Sequence, residues 1–227
     1  MSNLHLPTDR ILDARHTVLC LVVDRSGSMA SMMNQVHISI NNYLDEQRRT
    51  NISDNLKTSV ILITFDAMIE TLWNGYNLDE SRYVSAANVQ PRDGTALYDA
   101  IAEGINRTVE FIQGLPKTPF KVVMFILTDG EENSSKQWSK NEIASQIKNL
   151  NRAPYNWEFY FAAANQDAIF SGLQLNIPYA QCITFAGQGG IQNAFGATGK
   201  AHTRMRRGQS KAYTNEEKTS AINSSEL

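Results

Sequence analysis

Asp24-Arg25-Ser26-Gly27-Ser28 sets one carboxylate and two hydroxyls at alternate positions, directly after the apolar run Thr17–Val23. Oxygen-only donors of this kind suit a hard divalent cation such as Mg²⁺. Three side chains do not fill an octahedron, so more oxygen must come from elsewhere. Two other segments offer it. Thr128-Asp129-Gly130 follows the run Val122–Leu127, and Arg92-Asp93-Gly94-Thr95-Ala96 leads into a helical pattern with a hydroxyl at Thr95. Gly94 permits a tight turn there. The alternative is plain helix capping by Ser26, Ser28 and Thr95, with Asp24 favouring a helix dipole. Capping explains each loop alone but not three together.

Other chemistries lack their residues. His5, His16, His37 and His202 are scattered, without zinc-ligand spacing. No phosphate-binding GxxxxGK[ST] loop and no G-x-S-x-G elbow is present. A dehalogenase-type phosphotransferase needs a second Asp two residues after the first, where this chain has Ser26. No enzymatic activity is expected.

The elements that must position these residues are strands alternating with helices. Thr17–Val23, Ser59–Phe65, Val122–Leu127, Trp157–Ala163 and Cys182–Ala186 are nearly continuous apolar runs, the pattern of strands buried on both faces. A weaker strand, Met68–Trp73, follows Phe65 after a gap too short for a crossover, which predicts an antiparallel edge hairpin. Helical stripes run through Met32, Val36, Ile40, Tyr43 and Leu44, and through Leu97, Ile101, Ile105, Thr108 and Ile112. Ser139 to Glu142 reads as a capping box. A short helix is expected from about Gln166 to Leu173, and a last one from Ile191 to Met205, weakened by Gly196 and Gly199. The pattern predicts a doubly wound α/β sheet. We divide the chain into an extension (1–16), one domain (17–207) and a polar stretch (208–227), the last expected to be a mobile tail or loosely docked helix.

A net charge of −2 with 19% charged residues argues against nucleic-acid and membrane partners. Residues 1–16 lack an apolar signal core, and Cys20 and Cys182 read as buried free thiols, so the cytoplasm is the expected location (a host cytoplasm if phage-encoded). Arg204, Arg206 and Arg207 complement a helix C-terminus or form a phosphate or nucleic-acid patch. Of Met29, Met32 and Met33, two are expected in the core and one at an adaptable apolar rim.

With their strand context and order, these loops resemble the metal-ion-dependent adhesion site (MIDAS) of von Willebrand factor A-type (VWA) domains. That motif is Asp-x-Ser-x-Ser, a Thr before a helix, and an Asp commonly followed by Gly, matched here by Asp24, Ser26, Ser28, Thr95 and Asp129. The resemblance spans roughly Thr17 to Arg207. It implies a six-stranded, mostly parallel sheet of order 3-2-1-4-5-6, with Asp24 and Asp129 adjacent at the switch point. It implies that hydroxyls of Ser26, Ser28 and Thr95 hold Mg²⁺ (Mn²⁺ and Ca²⁺ are alternatives), with Asp24 and Asp129 acting largely through water. Neutral ligands would leave the cation electrophilic, so an Asp or Glu of a partner protein completes its shell. The absence of a signal resembles intracellular stand-alone bacterial and phage members. The alternative functions are a scaffold subunit that does not use the metal and, behind it, a Mg²⁺-dependent phosphohydrolase. Arg25 either repels the cation, clasps the incoming carboxylate or points to solvent. Asp93 either orients water or backbone or is a plain turn residue, and Glu131 is either a partner contact or part of a solvated polar loop.

Overall fold

The structure, a computed structural model, describes residues 15–116, 120–129, 131–164 and 167–223. Gly130, Gln166 and most of the expected N-terminal extension lie outside these residues. The strands are β1 (His16–Asp24), β2 (Lys57–Phe65), β3 (Ile69–Asn77), β4 (Phe120–Thr128), β5 (Glu158–Ala164) and β6 (Cys182–Phe185). They form one sheet of order β3-β2-β1-β4-β5-β6. All neighbours are parallel except β2 and β3, which form the expected antiparallel edge hairpin with a local register shift.

The helices are α1 (Met33–Asp54), α2 (Leu97–Gln113), α3 (Lys140–Leu150), α4 (Asp167–Gln174), α5 (Gly187–Arg206) and α6 (Asn215–Ile222). Ser139 and Glu142 form the capping box that starts α3. Alternation along each strand divides the core in two. Leu19, Leu21, Val23, Phe125 and Tyr160 pack with α1 and α5 on one face. Val18, Cys20, Val22, Ile126 and Phe161 pack with α2 and α3 on the other. Burial on both faces is why these strands are apolar at successive positions.

α5 runs unbroken for 20 residues through both of its central glycines. Gly199 is where α1 comes close: a Cβ there would lie 2.3 Å from Glu46 Oε2. The arginines that close α5 make specific bonds. Arg204 forks onto Glu217, Arg207 onto Asp54, and Arg206 is buried against Gln47 and Asn51, so the phosphate-patch alternative has no free guanidinium among them. The polar stretch from Gly208 carries α6, started by a Thr214–Glu217 capping box. It is tied to the sheet end by Ala186 N–H donating to Ala221 O at 3.0 Å. Cys20 and Cys182 are both buried and free. No helix among the described residues is long and apolar enough to cross a membrane.

Candidate metal centre

Parallel register brings the carboxyl ends of β1 and β4 together, pairing Val23 with Leu127. Asp24 and Thr128, one residue further on, therefore meet. Thr128 Oγ1 donates to Asp24 Oδ2 at 2.5 Å, and the Ser26 N–H donates to Asp24 Oδ1 at 2.7 Å. From there the oxygens form a chain. Ser26 Oγ lies 3.1 Å from Ser28 Oγ, and Ser28 Oγ donates to Asp129 Oδ1 at 2.7 Å. Capping is not how Ser26 is used: the turn Gly27–Met32 receives no side-chain cap from it.

Thr95 is held by the loop that follows Asp129. It is buried, and α2 begins after Ala96 with no side-chain cap. Its N–H donates to Asn133 Oδ1 at 2.9 Å and Ser134 Oγ at 3.2 Å, while its carbonyl accepts from both of their N–H groups. The loop after Asp129 is thus strapped to the start of α2. Glu132 accepts from the N–H groups of Tyr98, Ser134 and Ser135, and Asp99 accepts from those of Lys136, Gln137 and Trp138. Gly94 has φ +87°, and a Cβ there would lie 2.7 Å from both Ala67 Cβ and Ser134 Oγ. Only glycine fits this crossing without strain.

Arg25 does not point to solvent. It is 3% exposed and turns away from the oxygen chain, pairing with Asp66 at 2.8 Å and with Glu70 at 2.8 Å. A long cationic side chain is buried here because two carboxylates compensate the lost hydration. Asp93 is exposed and packs against Gly27, whose Cβ would lie 3.2 Å from its Oδ1; its carbonyl accepts from Ala67 N–H at 3.2 Å. Glu131 is exposed and, with Asp129, lines a groove of about 500 Å³ whose far rim carries Lys140 and Phe170. A second groove, about 650 Å³, opens on the other side of Asp129 and Ser28, walled by Met32, Ile169, Phe185 and Ile222. Met29 and Met33 are buried in the core, which leaves Met32 as the rim methionine.

Burial pushes the Asp24 carboxyl up to about 6, against the hydrogen bonds from Thr128 and Ser26, and nearby Asp129 adds to the rise. Burial also raises Asp129. Among the described residues neither carboxylate has an ion-pair partner. The donor set fits a hard cation: hydroxyls and carboxylates only, with buried negative charge that lacks a counter-charge. Among the described residues no cluster of three or more His, Cys, Asp or Glu offers a competing site.

Thr128, Asp66, Arg92 and Glu132 hold these loops in place, although no motif marks them for that in the sequence. Asp66 had a signal, since it ends an apolar strand as Asp24 does.

This six-stranded architecture, with an oxygen-lined site at the switch point, is the fold of VWA-type domains. The particular likenesses are to solved structures. Proximal thread matrix protein 1 from the mussel byssus is 17% identical over 84% of this chain and 47% of its own, with a TM-score of 0.54. The same mussel protein with a zinc-occupied MIDAS motif aligns at 16% identity over 86% of this chain and 47% of its own, TM-score 0.53. The ArnB paralog VWA2 from Sulfolobus acidocaldarius is 15% identical over 83% of this chain and 46% of its own, TM-score 0.54. The chain spans about half the length of these structures. No family model and no curated protein matches it.

Proposed function

We propose that this chain is a metal-dependent protein-binding module. Ser26, Ser28 and Thr95 would hold a divalent cation, Mg²⁺ or Mn²⁺, through their hydroxyls, with Asp24 and Asp129 as its charged partners. The cation supplies Lewis acidity toward a carboxylate from outside, an Asp or Glu of the partner protein. The observation that carries this reading is the oxygen chain Thr128–Asp24–Ser26–Ser28–Asp129, drawn from two strand ends and, among the described residues, left without a positive counter-charge. The zinc-occupied site of the mussel protein supports divalent-metal use by this kind of architecture.

The protein's own groups prepare the site. Thr128 and the Ser26 N–H hold both Asp24 oxygens, and the Asn133–Ser134 strap places Thr95. Two grooves beside Asp129 give a partner segment room on either side. We read the module as non-catalytic, because Ser26 stands where a dehalogenase-type phosphotransferase would carry its second Asp. The free Cys20 and Cys182 support a reducing compartment such as the cytoplasm.

Calorimetry with Mn²⁺ and Mg²⁺ tests the metal step, and affinity capture with and without EDTA tests the partner step. Saturable binding lost in Asp24→Ala, and capture lost in EDTA, are expected. Capture that survives both EDTA and Ser26→Ala with Ser28→Ala would favour a scaffold.

A further inference from the structure

We infer that Asp66 is the positioning residue of the metal centre, acting through Arg25 and Arg92; this rests on the metal-binding reading above. Asp66 is 1% exposed and lies in the β2–β3 turn, outside every loop that supplies an oxygen to the site. Its Oδ2 accepts from Arg25 Nε at 2.8 Å and from Arg92 Nε at 2.7 Å, and its Oδ1 accepts from the Met68 N–H at 2.7 Å. Glu70 closes the cluster, accepting from Arg25 Nη1 at 2.9 Å and Arg92 Nη2 at 2.5 Å.

The two arginines belong to the two loops that must be held together. Arg25 sits between Asp24 and Ser26, and Arg92 lies three residues before Thr95. Backbone bonds converge on the same point. Arg25 N–H donates to Phe65 O at 2.8 Å, Arg92 N–H to Arg25 O at 3.1 Å, and Ala96 N–H to Asp66 O at 2.8 Å. Ser26 and Arg92 form an isolated parallel bridge. A hydroxyl is a weak cation ligand, so its affinity depends on being held in place before the ion arrives. One carboxylate fixing both loops does this without contributing an atom to the site.

Charge gives a second role. A buried guanidinium demands a carboxylate. Without Asp66, Arg25 keeps only the more exposed Glu70, with buried Asp24 one residue away, and would compete with the cation for Asp24. Asp66 holds that positive charge on the far side of the loop.

The test is the Mn²⁺ dissociation constant, measured by calorimetry at a temperature well below each variant's own melting point. Asp66→Asn should bind Mn²⁺ about 10–100-fold more weakly while every residue facing the ion is intact. Arg92→Gln, at a half-exposed position, should weaken it by a smaller factor, and combining the two should add little to Asp66→Asn alone. A purely structural Asp66 would lower the melting temperature and leave the affinity of folded protein unchanged. Unaltered affinity in both variants overturns the inference, as does unaltered affinity in Arg92→Gln if Asp66→Asn fails to fold. Failure of the unaltered chain to bind Mn²⁺ overturns the metal reading itself, and this inference with it.

Discussion

Ser28 Oγ donates to Asp129 Oδ1 at 2.7 Å across 101 residues of sequence. The contact joins the loop after β1 to the end of β4, and it makes a hydroxyl and a carboxylate one unit. It exists because adjacent parallel strands end level, so residues just beyond them must meet. Chemistry at this edge is a consequence of strand order before it is a consequence of any single motif.

Asp24 is a buried carboxylate with no cationic partner among the described residues, so its charge costs the metal-free fold stability. Asp24→Asn should therefore melt at or above the temperature of the unaltered chain in EDTA, with a gain on the order of 1 kcal/mol. Added Mg²⁺ should raise the melting point of the unaltered chain and not that of the variant. Thermal melts in both buffers check this, and equal Mg²⁺ shifts would refute it.

Gly94→Ala places a Cβ against Ala67 and Ser134 at a positive φ. The expected loss is about 1–3 kcal/mol in urea unfolding. Because Thr95 is next in the chain, Mn²⁺ affinity should fall as well. A neutral substitution would show that the crossing is not strained.

His202 is buried, its Nδ1 bonded to Tyr43 Oη and its ring packed against Tyr160. Burial, helped by the Arg206 charge, pushes its pKa down to about 3. The folded state thus holds neutral imidazole while the unfolded chain takes up a proton below about pH 6.5. Its contribution is fully present above that pH and is lost as pH falls toward 3. Urea unfolding at pH 7, 6, 5 and 4 should show His202→Gln gaining on the unaltered chain by up to ~1.4 kcal/mol per pH unit below 6.5. A constant gap between the two proteins would contradict the assignment.

Cys20 and Cys182 are buried, and burial pushes both thiols up to about 12. A thiol reagent at pH 8 should label neither in the native protein and both in denaturant. Rapid native labelling of either would show that its side of the core opens.

Much of the fold was legible locally. Strands buried on both faces announce themselves as apolar runs, and α2 and α3 by their stripe and capping box. The boundaries moved by a few residues: β3 runs on to Asn77, and Ala186 ends outside β6 as the cap of α5. The motif residues were legible too, since Asp24, Ser26 and Ser28 share one loop. Their use was not, because capping explains the Ser26 loop taken alone until its hydroxyl is seen beside Ser28.

Which residue types stand at which strand ends, and so which oxygens the sheet's carboxyl edge can present, is written in the local order of residues. That information is local: periodicity and spacing act over a few residues. Where the charges go is set by long-range packing. Thr128 reaches Asp24 across 104 residues, and Arg25 reaches Asp66 across 41, turning inward rather than to solvent. A guanidinium's choice among water, a cation's neighbourhood and a buried carboxylate depends on which groups share its space. That is settled only when the hairpin, the two loops and the strand ends are brought together.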